Sequence, residues 1–197
     1  MTSTAENPNL AQPVIVTGFI GSGHEVIGQR VAEYLGRFIY DTFNDPLCQA
    51  AFTDDAGEDL TSRLEIYNSL VMFRADIPPR VLLVRAQPFG RLLMQHTMES
   101  QGAISIFVDT PPPLILAHLA EPRWQHAGNE SLTRAAERDV LRNYEETAYV
   151  ARHIATITIR PNVWPGDLPD TDAALVNARQ LFAPRLPLTR ASLEASA

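Results

Sequence analysis

The stretch Val14-Ile15-Val16-Thr17 runs directly into Gly18-Phe19-Ile20-Gly21-Ser22-Gly23, and a helix-patterned segment follows over about 25–35. The first four residues show no polar alternation, which is the pattern of a central parallel strand covered on both faces. The glycines then let successive backbone N–H groups turn inward toward an anion, and the following helix adds the positive end of its dipole. Strand, glycine-rich turn and helix in this order are the layout of a phosphate-binding loop. That layout normally continues with a lysine, which neutralises the β- and γ-phosphates, and with a serine or threonine whose hydroxyl holds Mg²⁺. Here the two positions are His24 and Glu25. The Walker A motif is therefore degenerate: the cradle keeps its glycines, the cation and the Mg²⁺-binding hydroxyl are gone, and a carboxylate faces the phosphates with like charge.

No other residue can supply the missing ammonium group. The Lys+Arg count of 16 consists entirely of arginine, so any cation at the loop must be arginine, histidine, a metal or a partner's. A formal charge of -7 argues against nucleic-acid binding, which needs clustered positive charge. No apolar run approaches the roughly 20 residues needed to span a bilayer, and residues 1–6 lack the basic and apolar regions of a signal peptide. The expectation is a cytoplasmic protein without a membrane partner. The single cysteine, Cys48, permits no internal disulfide and sits in an apolar stretch suited to a buried, inert thiol.

At 197 residues the chain has room for one α/β domain. Residues 1–12 read as a flexible arm, 13–183 as the domain and 184–197 as a tail. Strands are predicted at 13–17, 38–41, 80–85, 103–109 and 155–159. Helices are predicted at about 25–35, 44–52, 59–75, 89–101, 114–119, in a long stretch ending near 153, and at 173–182. The long helix is expected to turn Leu132, Ala136, Leu141, Tyr144 and Ala148 inward, and Thr110 is placed to cap the helix after the fourth strand. Short apolar strands separated by helices make βαβ units, hence a five-stranded, mainly parallel sheet with helices on both faces.

Several segments together carry a family resemblance: Thr17 to Gly23 with Ile27-Gly28-Gln29-Arg30, Leu35-Gly36-Arg37-Phe38-Ile39-Tyr40-Asp41, Val108-Asp109-Thr110-Pro111-Pro112, and Asn143-Tyr144-Glu145-Glu146-Thr147-Ala148. In this order, over about residues 13–160, the chain resembles the small P-loop kinases of the shikimate kinase group and the cytidylate-kinase-like proteins. The resemblance implies a three-layer α/β fold of the nucleoside-monophosphate-kinase type. It implies nucleotide-side positions at Gly18, Gly21, Ser22, Gly23, His24, Glu25 and His118, the last standing where the family has an arginine over the adenine. It also makes 121–130 a possible lid with Arg123 near the lid arginine, and leaves Asp41 and Asp109 as the remaining acids. The departures fall where the family does its chemistry. The second acid after the second strand is Phe43, the triple glycine after the third strand is Arg85-Ala86-Gln87-Pro88, and the substrate-binding arginine on the long helix is Val140.

The clustered losses lead to a kinase-like pseudoenzyme that retains binding of a nucleotide, a phosphorylated small molecule or a protein partner. The alternative is an active small-molecule phosphotransferase using His24, Glu25 and Arg123. A third reading is a structural subunit, for instance a homodimer, whose old cleft is filled. At His24 and Glu25 a rebuilt site, in which protonated His24 replaces lysine or both residues join Asp41 and Asp109 around a metal, competes with a helix-dipole contact for Glu25 and an ordinary exposed histidine. Asp109 is either a Walker-B-like carboxylate or a strand-end cap. His118 and His126 are too far apart for short zinc-ligand spacing and belong to a helix and a loop, so no zinc site is expected from them. Trp124 either stacks on a base or anchors its loop. Arg134, Arg138 and Arg142 form a solvated charged face or an anion-receiving row.

Overall fold

A computed structural model describes residues 12–41, 81–85, 103–121, 130–170 and 172–183. Residues 1–11 of the arm, the tail, the 44–52, 59–75 and 89–101 helices, Cys48, Arg123, Trp124 and His126 lie outside these residues. The described elements are β1 (Val14–Gly18), α1 (His24–Leu35), β2 (Ile39–Asp41), β3 (Val81–Arg85), β4 (Ile104–Val108), α2 (Pro112–Leu119), α3 (Glu130–Ile154), β5 (Ile157–Ile159), a 3₁₀ turn (Pro165–Asp167) and α4 (Ala173–Gln180).

The strands form one sheet in the order β2-β3-β1-β4-β5, and every pairing is parallel. β1 lies at the centre, with Val14 opposite Val81 on one side and Ile104 on the other. All five of its residues are buried, as their unbroken apolar pattern requires. Alternate residues feed two cores. On one face Ile15, Phe19, Leu82, Val84 and Phe107 pack with Ile115 and Leu119 of α2 and with Ala136, Val140, Tyr144 and Ala148 of α3. On the other, Val14, Val16, Val81, Leu83, Ile106 and Val108 meet Ile27 and Val31 of α1 and Leu175 and Ala178 of α4. These are the three layers expected of the α/β fold.

Two local expectations need correction. Leu141 is 69% exposed and Val140 takes its place inward, because the buried series 133, 136, 140, 144, 148 and 151, with 147 beside it, steps by three and four residues and leaves 141 outside the stripe. Thr110 does not cap α2. Pro111 is the N-cap residue, without a side-chain cap bond, and the Thr110 hydroxyl donates instead to the Ser22 carbonyl at 2.6 Å. Buried Ser105 also has a defined task. Its N–H donates to Thr156 Oγ1 at 3.1 Å while the Thr156 N–H donates to Ser105 Oγ at 2.9 Å, which fixes the register of the segment leading into β5.

Candidate functional site

The carboxyl ends of parallel strands are where an open α/β sheet binds ligands, and the glycine loop sits at the end of the central one. Gly21 and Gly23 have φ of +81° and +76°, the left-handed region that glycine enters without steric cost. Both also sit too close to neighbours for a side chain. A Cβ on Gly21 would lie 2.8 Å from Leu119 Cδ2, and one on Gly23 would lie 2.7 Å from Pro165 Cγ. The sequence at these two positions is thus dictated by conformation and by packing together. Within the loop the Ser22 N–H donates to the Phe19 carbonyl at 2.9 Å, and the Val26 and Ile27 N–H groups both reach the Gly23 carbonyl. The amides that open a helix ahead of such bonds generally have no intrahelical acceptor, the condition that suits a helix N-terminus to anions.

His24 opens α1 and is turned inward, with only 2% of its surface exposed. Its Nδ1 lies 3.3 Å from Ser22 Oγ and 3.3 Å from Glu25 Oε2. The plain reading of His24 as an exposed residue is therefore corrected: the ring is packed against Gly18 and held by its neighbours. Glu25 stays partly in solvent in the first turn, where its charge suits the dipole. Thr110 ties the loop to β4 through the Ser22 carbonyl.

Asp109, just beyond β4, is 0% exposed. Its Oδ1 accepts from the Tyr144 hydroxyl at 2.6 Å and from Arg152 Nη2 at 3.0 Å, and its Oδ2 accepts from Arg152 Nε at 2.8 Å. Arg160 approaches Oδ2 at 3.5 Å but is 65% exposed, so solvent screens most of that attraction. Burial, and then the neighbouring Asp109, push the Tyr144 phenol well above its ordinary range. The hydrogen bonds to Asp109 raise the Arg152 guanidinium further. The carboxylate thus joins β4, α3 and the residue after β5.

His118 of α2 is buried beside the loop, one residue before the Leu119 that touches Gly21. Its Nδ1 lies 2.9 Å from Glu121 Oε1. The face of its imidazole is covered by Trp164, ring centroids 3.5 Å apart and planes 18° from parallel. Asp41 ends β2, two strands from β1 and hence about 10 Å to the side. The structure therefore brings together Gly18, Gly21, Ser22, Gly23, His24, Glu25, Asp109 and His118, while Asp41 stands apart. Among the described residues no group of three or more His, Cys, Asp or Glu is placed to hold a metal ion. Trp164, Pro165 and Arg152 were not singled out from the sequence. The Pro161 to Pro165 cluster around a tryptophan was the available signal for the first two, and Arg152 carries none short of the fold itself.

No protein-family model and no curated protein sequence matches the chain. Solved structures do match. A shikimate kinase from Acinetobacter baumannii in complex with shikimate superposes with a TM-score of 0.50 at 19% identity, over 86% of this chain and 89% of that one. A shikimate kinase from Aquifex aeolicus gives 0.51 at 13% identity, over 86% and 96%. An unliganded sugar kinase from Janibacter sp. gives 0.50 at 17% identity, over 88% and 96%. The fold is that of the P-loop kinases. At these identities the likeness is one of architecture, and it matches the five-stranded parallel sheet with helices on both faces. The glycine loop after β1 lies at the carboxyl end of the sheet, with Leu119 of α2 packed at Gly21 and Pro165 of the Trp164 segment packed at Gly23. Among the described residues no helix is long and apolar enough to cross a membrane.

Proposed function

We propose that the chain binds a phosphate-bearing small molecule in its glycine loop and does not transfer a phosphoryl group. One observation carries the reading. The residue in the lysine position, His24, is buried, with its Nδ1 engaged by Ser22 and by the Glu25 carboxylate, so it does not extend a cation toward an anion in the loop. The buried acid beyond β4, Asp109, has both oxygens bonded to Tyr144 and Arg152, which supports a structural role for it over metal binding. What supports retained binding is the loop backbone, whose two left-handed glycines and buried turn keep the cradle's shape. Transfer chemistry depends almost wholly on positioned cations around the phosphates, and the loop's own cation position holds a buried histidine.

A thermal-shift panel of sulfate, sodium tripolyphosphate and nucleotides, each with and without Mg²⁺, tests the binding half. A ligand at about 100 times its dissociation constant should stabilise the protein by roughly 2.7 kcal/mol. The stabilisation should not depend on Mg²⁺, because the hydroxyl that would hold it is replaced by Glu25. No shift with any of these compounds would instead favour a structural subunit whose cleft has no ligand.

A further inference from the structure

We infer that Trp164 is the chain's own occupant of the stacking face beside the phosphate loop, so that the site takes phosphate compounds that carry no aromatic ring. The inference rests on the proposed function and names its ligand class. A centroid separation of 3.5 Å with planes 18° from parallel is full ring contact between His118 and Trp164 and leaves no gap for a third ring. The pair lies against the loop on both flanks. Leu119, next to His118, packs where a Gly21 side chain would be, and Pro165, next to Trp164, packs where a Gly23 side chain would be.

The segment that carries the indole is fastened. Arg30 of α1 donates from Nη1 to the Leu168 carbonyl at 2.8 Å and from Nη2 to the Gly166 carbonyl at 3.2 Å. The Asp167 N–H closes back on the Trp164 carbonyl at 2.8 Å, and Leu168 is anchored in the core. The backbone of the same segment also approaches the indole closely, since a Cβ on Gly166 would lie 3.0 Å from both Cδ1 and Nε1 of the ring. An arriving base must therefore displace a ring already positioned by its own chain, whose effective concentration a free ligand matches only in the millimolar range or above. A phosphate chain without a ring meets no such competitor.

The test titrates sodium tripolyphosphate and ATP, without Mg²⁺, into the 197-residue chain and into its Trp164→Ala variant. Trp164→Leu, which retains apolar volume, is run in parallel in case the alanine variant folds poorly. Stacking of a base is worth about 1–3 kcal/mol, so unmasking His118 should tighten ATP by roughly tenfold while tripolyphosphate changes by less than about twofold. Equal gains for both ligands, or ATP already binding the wild type about tenfold tighter than tripolyphosphate, would overturn the inference and leave the proposed function standing. Absence of tripolyphosphate binding in every protein would overturn the proposed function itself. A ligand-free readout decides the stack separately: in a Trp124→Phe background, Trp164 emission should change on His118→Ala, and no change would contradict the contact.

Discussion

Replacing Arg152 with methionine is expected to destabilise the protein by about 3–5 kcal/mol, the usual effect of stripping the partner from a buried charge. In a chain of this length that corresponds to a fall in melting temperature on the order of 10 °C. Arg152 makes two hydrogen bonds to Asp109, one to each oxygen, and the carboxylate has no solvent to fall back on. Tyr144 would remain as a donor, and Arg160 is too exposed to compensate fully. Methionine keeps much of the aliphatic volume of the arginine stem, so the change reports the lost guanidinium more than lost packing. Equilibrium urea unfolding of wild type and variant measures the difference. A loss below 1 kcal/mol would mean that Asp109 does not depend on Arg152, and would reopen Asp109 as a free site carboxylate.

Gly21→Ala should cost about 2–5 kcal/mol. Roughly 1–2 kcal/mol comes from forcing an L-residue to φ of +81°. A further 1–3 kcal/mol comes from overpacking, because the methyl group lands 2.8 Å from Leu119 Cδ2 and 2.9 Å from Leu119 Cγ in a core that has no slack. Gly36→Ala is the control. That glycine has φ of +62° and nothing within 4 Å of the added Cβ, so only the conformational part should appear. Equal losses at the two sites, measured by urea unfolding, would contradict the packing of α2 onto the loop. The variant's response to tripolyphosphate should also weaken, since relieving the contact must move the loop.

Much of this was legible in the sequence because it is local or periodic. The uninterrupted apolar run before Gly18 placed β1 in the middle of a parallel sheet, and the glycine spacing placed the loop. Strand ends shifted by one or two residues, since residues such as Phe38, 76% exposed, are apolar without being in the strand. The inner face of α3 was one residue out at Leu141 because arginines and glutamates flank both candidate stripes. The site was harder to read. The motif raised the expectation that His24 and Glu25 replace a lysine and a hydroxyl, yet the inward turn of His24 depends on Ser22 and on the close approach at Gly18. The grip of Tyr144 and Arg152 on Asp109 spans 35 and 43 residues of sequence, and the His118 and Trp164 stack joins two elements whose contact no spacing announces.

Phosphate release from Mg-ATP at high protein concentration, run on a sample already shown to bind tripolyphosphate, tests the central claim most directly. Binding without measurable release is the predicted result, because the loop keeps its glycines while, in the proposed reading, His24 and Glu25 stand in place of the cation and the metal-holding hydroxyl. Release above background that disappears on Arg123→Ala would contradict it and establish an active phosphotransferase.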